Sequence, residues 1–150
     1  MIYKAVSRAT CERFCNQKHP LKSIIISIKS SRDTNPPKVF CSDTNKVQAI
    51  LSLSFDDVEA DNPLVALQRL KEHCMTHKDA IQVRDFVKEW FEKVDMIIVH
   101  CDGGVSRSAG VVSALMQIYD SKGWVMWKTQ GKHPNMTCFL RTLEAFNYKL

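Results

Sequence analysis

The sequence predicts an α/β domain with a central, mostly parallel sheet flanked by helices, on three observations. Short apolar segments alternate with helix-like segments along the chain. Two of these segments, residues 23–28 and 96–99, are almost entirely apolar, as strands covered on both faces are. A chain of 150 residues, 45% of them hydrophobic, can bury a core but has no room for two lobes. We therefore expect residues 1–150 to form a single domain.

The other elements are predicted from the spacing of apolar residues, which repeats every two positions in strands and every three or four in helices. The last helix is expected to begin at Pro134 and Asn135, and its apolar face consists of Phe139, Leu140, Leu143 and Phe146. The remaining expected elements are an edge strand at 2–6, a helix at 9–17, strands at 39–41 and 47–55, and helices at 64–70 (Leu64, Leu67, Leu70), 78–93 and 109–119.

Charge and hydropathy exclude several classes of protein. Lys and Arg number 21 against 16 Asp and Glu, a net charge of +5 that favours anionic partners without the dense basic stripe of a nucleic-acid binder. The longest apolar runs fall far short of the roughly 20 residues that span a membrane, and residues 1–9 do not resemble a signal peptide. We expect a cytoplasmic protein with no membrane span and no nucleic-acid partner, whose six cysteines are reduced.

The segment HCDGGVSRS, residues 100–108, follows a predicted buried strand and precedes a predicted helix. Its glycines allow successive N–H groups to turn inward, and the start of the helix adds the positive end of its dipole. Arg107 can close over a bound anion with a planar fork of donors. The sequence therefore predicts a phosphate-binding loop formed by Asp102, Gly103, Gly104, Val105, Ser106 and Arg107.

Cys101 lies at the mouth of this loop, where the groups that bind an anion also favour a thiolate. A thiolate in that position can attack phosphorus in line and form a covalent intermediate that water later hydrolyses. Ser108 is expected to donate a hydrogen bond to the departing sulfur, and His100 to order the loop rather than act as a base. Under oxidation, Cys41 or Cys74 is a candidate disulfide partner for Cys101.

These residues carry a family resemblance. His100, Cys101, Gly104, Arg107 and Ser108 match the HCxxGxxRS signature of cysteine-based protein tyrosine phosphatases, and residues 104–108 resemble its dual-specificity branch. Residues 134–143, PNMTCFLRTL, are similar to the stretch that begins the last helix in that branch, although Thr137 replaces a glycine and Thr142 a glutamine.

The resemblance implies a protein tyrosine phosphatase-like fold of the dual-specificity type, and hydrolysis of phosphate monoesters on a phosphorylated protein substrate. It implies phosphotyrosine as substrate, and the short chain suggests a shallow pocket that also admits phosphoserine and phosphothreonine. No metal and no cofactor are expected. Asn135 is expected by the same resemblance to buttress the loop.

The resemblance also implies a general acid, an aspartate on a loop that follows an upstream strand. Here the strand at 47–55 leads into Asp56 and Asp57, and the family spacing favours Asp57, with Asp56 next and Asp61 third. Asp102 places a negative charge on the rim of the anion site, where it should mildly oppose anion binding unless its side chain points away.

Other functions remain open from the sequence. A phosphatase of the same fold that acts on an RNA 5′-phosphate or a phosphoinositide would share every catalytic residue. A non-catalytic phosphate-binding module would hold phosphopeptides without turnover. A sulfur-transfer domain also places a cysteine in an anion loop, but it needs neither the aspartate loop nor the segment at Pro134 and Asn135.

Two further clusters are interpreted as structural. His73 and His77 have the helical spacing that can bind zinc, but no glutamate accompanies them, so exposed helix histidines are expected. Trp124 and Trp127 lie among lysines and could form a basic aromatic patch, but packing into the core with a solvated rim is expected.

Overall fold

A computed structural model describes residues 1–60, 63, 67 and 73–150. The candidate acid Asp61 and most of the helix predicted at 64–70 lie outside the described residues. In chain order the strands and helices are β1 (Ile2–Ser7), α1 (Arg8–Cys15), β2 (Ser23–Lys29), β3 (Val47–Ser54), α2 (His77–Trp90), β4 (Met96–Cys101), α3 (Arg107–Asp120), α4 (Trp124–Lys128) and α5 (Met136–Ala145).

The four strands of the described chain form one sheet in the order β1-β4-β2-β3, and every pair is parallel. This confirms the predicted sheet, with β1 as an edge strand and β2 and β4 in its centre. All six residues of β4 are buried, as are the first six of β2, because helices cover both faces of a parallel sheet.

Alternate residues of the central strands pack on opposite faces of the sheet. Ile24 and Ile26 join a core cluster with buried residues of α2, α3 and α5. Ile25 and Ile98 join a second, smaller cluster with the two buried cysteines of α1. The alternation follows from the two-residue repeat of a strand, and it produces a thick helical layer on one face and a thin one on the other.

Side chains mark where three of the helices begin. Ser7 accepts a hydrogen bond from the backbone N–H of Thr10 at the start of α1. Thr76 and Asp79 form a capping box at the start of α2. The side chain of Asn135 caps α5, as the position of Pro134 and Asn135 in the sequence predicts.

The strand predicted at residues 39–41 does not form, because this segment has no regular hydrogen-bonded structure. The carbonyl of Phe40 instead accepts a hydrogen bond of 2.9 Å from the side-chain amide of Asn45. Two prolines, Pro36 and Pro37, precede the segment and lack the N–H groups that would pair it with β3. In this loop Val39 packs against the smaller core cluster, whereas Phe40 and Cys41 are exposed.

Three side-chain expectations are also wrong. Leu140 is 45% exposed and Trp124 58% exposed, so neither belongs to the core. Helix α4 has only five residues, none of them buried. Trp127 is 40% exposed; it makes an edge contact with Phe139, and its Nε1–H donates to the hydroxyl of Ser113 at 2.9 Å. His73 and His77 are both exposed, as expected, but helix α2 begins only at His77, so His73 is not on a helix.

Among the described residues, no helix is long and apolar enough to cross a membrane.

Candidate active site

The carboxyl ends of β2, β3 and β4 meet at one edge of the sheet, where ligands of parallel α/β sheets bind. The segment predicted to bind an anion connects β4 to α3 at this edge. We call residues 101–107 the anion loop. The segment that follows β3 passes beside the anion loop and contains Asp56 and Asp57.

Gly104 allows the anion loop to pack closely against the end of β1. Its φ of +71° lies in the left-handed region, which residues with a side chain rarely adopt. A Cβ atom at this position would lie 2.4 Å from both Val6 C and Ser7 N, much closer than atoms in contact can approach. Both the conformation and the space therefore require glycine.

The thiol of Cys101 lies inside the loop, and the residue is only 2% exposed. Its Sγ accepts a hydrogen bond of 3.3 Å from the backbone N–H of Gly104. The hydroxyl of Ser108 lies 3.2 Å from the same sulfur, at the first turn of α3. Both groups can donate to a thiolate, so the loop is arranged to stabilise negative charge on this sulfur.

His100 is fully buried on β4, and its ring nitrogens contact Ser27 and the Cys101 carbonyl. Its Nε2 is hydrogen-bonded to the hydroxyl of Ser27 on β2 at 2.6 Å, and its Nδ1 lies 3.3 Å from the carbonyl of Cys101. Burial lowers the pKa of His100, which keeps the ring neutral at pH 7. Through these contacts His100 connects β2 to the start of the anion loop.

Arg107 closes the loop with a guanidinium group that three acceptors hold in place. Nη1 donates to the carbonyl of Phe55 at 2.9 Å and to the hydroxyl of Ser30 at 3.1 Å. Nη2 pairs with the carboxylate of Asp102 at 3.3 Å. Nε is buried and has no partner among the described residues, so a donor remains for an anion in the loop.

Asp102 does not point away from the site. Its carboxylate accepts hydrogen bonds from Arg107 Nη2 and, at 2.9 Å, from the hydroxyl of Ser30. Its side chain is 48% exposed, so it lies on the rim rather than inside the loop. Asp102 therefore orients Arg107 and at the same time offsets part of the positive charge that an anion would meet.

Asp57 lies beside the anion loop and is exposed to solvent. Its Oδ1 accepts a hydrogen bond of 2.7 Å from the hydroxyl of Ser106 and one of 3.1 Å from the side-chain amide of Asn135. Both partners are neutral donors, and together they hold the carboxyl group of Asp57 beside the loop.

Asp56 has a different environment, although it is the neighbouring residue. It is only 6% exposed, and its carboxylate accepts hydrogen bonds from the N–H and hydroxyl of Ser31 and from the N–H of His73. Burial alone would raise the pKa of Asp56, but these hydrogen bonds outweigh it and hold the pKa below its ordinary value. Asp56 thus joins the loops after β2 and β3 and is a poor proton donor.

The start of α5 clamps the segment that carries Asp57. The amide of Asn135 also donates to the carbonyl of Val58 at 3.2 Å. The hydroxyl of Thr137 accepts a hydrogen bond of 2.8 Å from the N–H of Ala60. Asn135 therefore contacts both the anion loop and the segment that carries Asp57, and Thr137, which departs from the family pattern, contacts the same segment.

Sequence reasoning missed three residues of this site, namely Ser30, Thr137 and Lys132. Ser30 bridges Arg107 and Asp102, and its position just after β2 is the signal that could have identified it. For Thr137 the signal was its departure from glycine in the family stretch. Lys132 donates to the carbonyl of Gly104 from 28 positions away, and no local pattern marks it.

The candidate disulfide partners of Cys101 lie in different places. Cys41 is exposed beside Lys46 and Val47, at the amino end of β3, so it lies at the opposite edge of the sheet from Cys101. Cys74 is half-buried. Within the part of the chain that the structure describes, no group of three or more His, Cys, Asp or Glu could hold a metal ion.

Comparisons with known proteins identify the fold. No model of a known protein family and no curated protein sequence matches the chain. Among the solved structures that match the chain are three with a TM-score of 0.54 each. Human tyrosine phosphatase-like serine/threonine/tyrosine-interacting protein is 20% identical, over 84% of this chain and 77% of its own, at a TM-score of 0.54. Tk-PTP in its active form is 13% identical, over 95% of this chain and 87% of its own. Human DUSP28 is 16% identical, over 97% of this chain and 91% of its own.

The fold is therefore that of the protein tyrosine phosphatases of the dual-specificity type. This agrees with the class that the HCxxGxxRS signature suggested. At these identities the likeness concerns the fold, and the activity has to be argued from the residues of the site.

Proposed function

We propose that the protein is a phosphatase that hydrolyses phosphate monoesters through a cysteinyl-phosphate intermediate at Cys101. The observation that most supports this is the position of the Cys101 sulfur, which accepts a hydrogen bond from the Gly104 N–H and lies 3.2 Å from the Ser108 hydroxyl, inside a loop that Arg107 closes. The free Nε of Arg107 and the nearby carboxyl of Asp57 supply the other groups that the reaction needs.

In the first step, the Cys101 thiolate attacks phosphorus on the side opposite the ester oxygen. A sulfur–phosphorus bond forms while the bond from phosphorus to the ester oxygen breaks. Asp57, in its protonated form, donates its proton to the departing oxygen. Arg107 and the backbone N–H groups of the loop stabilise the charge on the other phosphoryl oxygens.

In the second step, water attacks the phosphorus of the intermediate and the sulfur–phosphorus bond breaks. Asp57, now a carboxylate, takes a proton from the water. The hydroxyl of Ser108 donates a hydrogen bond to the departing thiolate, as its distance of 3.2 Å from the sulfur allows. Inorganic phosphate leaves and the site is restored.

We propose phosphorylated proteins as substrates, with phosphotyrosine and also phosphoserine or phosphothreonine as the hydrolysed groups. One of the proteins with this fold is named as a PTP in its active form, which supports this substrate class. The exposed position of Asp57 supports a shallow site. A thiolate nucleophile also requires reducing conditions, so we place the activity in the cytoplasm.

The first experiment is hydrolysis of p-nitrophenyl phosphate by reduced protein, in the presence of a chelator. We expect turnover that the chelator does not affect, and that Cys101→Ser and Arg107→Ala abolish. Cys41→Ser is the matched control, because it removes an exposed thiol at the opposite edge of the sheet. Folded, reduced protein that shows no turnover would exclude a phosphatase and favour a phosphate-binding module or a sulfur-transfer domain.

The substrate class is tested with phosphotyrosine, phosphoserine and phosphothreonine peptides beside a 5′-phosphorylated RNA and a phosphoinositide. We expect the highest kcat/KM with a phosphotyrosine peptide. Preference for the RNA or the lipid would keep the proposed chemistry and overturn the proposed substrate.

A further inference from the structure

Three consecutive carbonyls of the anion loop are turned outward and held by one short segment, residues 132–135. The carbonyl of Val105 accepts a hydrogen bond of 2.9 Å from the N–H of His133. The carbonyl of Ser106 accepts one of 3.0 Å from the N–H of Asn135. The carbonyl of Gly104 has no main-chain donor of this kind and is bound by the ammonium group of Lys132.

The direction of these carbonyls determines what an anion meets inside the loop. In a trans peptide the C=O and the N–H of the same unit point in opposite directions. No peptide bond in the described chain is cis. Because the carbonyls of Gly104, Val105 and Ser106 point outward, the N–H groups of the residues that follow them point into the loop.

The peptide between Gly104 and Val105 is the one most able to rotate. Glycine has no Cβ to restrict it, so a peptide beside it can turn over at low cost unless its carbonyl is held. The neighbouring carbonyls are held by backbone N–H groups, which no substitution other than proline removes. Only at Gly104 does a side chain hold the carbonyl, and that side chain belongs to Lys132.

The ammonium group of Lys132 has two backbone acceptors. Its ammonium group also donates to the carbonyl of Ala5 on β1 at 2.7 Å, which anchors the loop to the strand that Gly104 packs against. Burial lowers the pKa of Lys132, and a thiolate at Cys101 would act in the opposite direction.

We propose that Lys132 is a positioning residue of the anion loop, whose ammonium group holds the Gly104–Val105 peptide so that the Val105 N–H faces the bound phosphoryl group. It acts through the loop and does not touch the substrate. The inference rests on the proposed function only in that the loop binds a phosphoryl group, and it does not require turnover.

The test is the binding of inorganic phosphate, measured by isothermal titration calorimetry on the whole chain. Lys132→Met keeps the length of the side chain and removes its donors and charge. We expect it to weaken phosphate binding by about tenfold or more, because a charge-assisted hydrogen bond to the loop is lost. Lys132→Arg retains a charged donor and is expected to restore most of the affinity.

The matched control is Lys128→Met, which removes an equal charge from α4, where the ammonium lies 5.8 Å from the centre of the Trp124 ring. We expect its phosphate affinity to stay within about twofold of the wild type, since surface charges contribute little. Equal losses in both variants would mean that only net charge matters. Unchanged binding by a folded Lys132→Met variant would overturn the proposal.

A second measurement does not depend on the variants folding. In a ¹H–¹⁵N spectrum of the wild type, we expect the amide of Val105 to shift when inorganic phosphate is added. If it does not shift while phosphate binds, its N–H does not face the ligand and the proposal is wrong.

The outcomes also separate this proposal from the proposed function. Phosphate binding that depends on Lys132, in a protein without turnover, would overturn the proposed phosphatase and keep the role of Lys132. Turnover by the wild type, together with normal phosphate binding by Lys132→Met, would keep the proposed phosphatase and overturn the role of Lys132. A wild type that does not bind phosphate would overturn both.

Discussion

The hydroxyl of Ser106, in the anion loop, donates a hydrogen bond of 2.7 Å to the carboxylate of Asp57, which lies 49 positions earlier in the chain. The contact joins the segment that binds phosphate to the segment that carries the proposed acid. Asn135 completes the connection, since its backbone N–H binds the carbonyl of Ser106 and its side chain binds Asp57. The carboxylate of Asp57 is thus held beside the loop by neutral donors on both sides.

Substitution of Asp57 should have an effect that depends on the leaving group. We expect Asp57→Asn to lower kcat/KM for a phosphotyrosine peptide by about 100-fold, because general acid catalysis contributes at least that much. For p-nitrophenyl phosphate the loss should be less than about tenfold, since p-nitrophenolate leaves without a proton. Steady-state kinetics on the two substrates measure the difference.

Asp56→Asn is the control for this experiment, because it changes the neighbouring carboxylate in the same way. It should slow both substrates to a similar extent. Dependence on the leaving group in Asp56→Asn instead of Asp57→Asn would show that the acid has been assigned to the wrong residue.

Asp56 should contribute to stability in a manner that depends on pH. Its pKa is held below the ordinary 3.8, so the folded protein favours the charged form and the contribution is present above that pH. We expect Asp56→Asn to lower the free energy of unfolding by about 2 kcal/mol at pH 7, as loss of a charge-assisted hydrogen bond does. The difference should shrink as the pH falls below 3.8 and through the folded-state pKa.

Urea unfolding of the wild type and the variant between pH 7 and pH 3 measures this difference. Asp85→Asn, on the exposed face of α2, serves as the control and should change little at any pH. A difference between Asp56→Asn and wild type that is independent of pH would mean that the charge of Asp56 does not matter.

Removal of the charge of Asp102 should strengthen anion binding. Its carboxylate pairs with Nη2 of Arg107 at 3.3 Å and lies on the rim of the loop. We expect Asp102→Asn to lower the inhibition constant for inorganic phosphate by up to about fivefold, since half-exposed ion pairs are worth no more than about 1 kcal/mol. Asp85→Asn again controls for net charge. Weaker binding in Asp102→Asn would show that orientation of Arg107 outweighs the competing charge.

Gly104→Ala should be much more harmful than the same change at Gly131. Both glycines have a positive φ, +71° and +79°, so both substitutions strain the backbone by about 1–2 kcal/mol. Only at Gly104 does the new Cβ collide with backbone atoms, whereas nothing lies within 4 Å of it at Gly131. Thermal unfolding should show a far larger loss for Gly104→Ala, and equal losses would show that the loop can move away from β1.

Much of the fold follows from local sequence patterns. The apolar runs of β2 and β4 predict buried parallel strands, because only strands covered on both faces are apolar throughout. The failed strand at 39–41 and the exposed Trp124 show the limit of this reasoning. In both cases the local composition is apolar, so composition alone does not predict the outcome; the carbonyl of Phe40, for example, accepts a hydrogen bond from the side chain of Asn45 in place of a strand partner.

By itself, the sequence determined the anion loop and the candidate nucleophile within it, because Cys101, Gly104, Arg107 and Ser108 lie within eight positions of one another. A strand, a glycine turn and a helix start create that geometry with little help from the rest of the chain.

Only the tertiary structure decided how Asp56 and Asp57 differ, where Asp102 points and what Lys132 holds. Each of these depends on hydrogen bonds to residues far away in the chain, as the contact of Lys132 with Ala5, 127 positions apart, illustrates. Burial and hydrogen-bond partners set the protonation and orientation of a side chain, and both arise only when distant segments pack together.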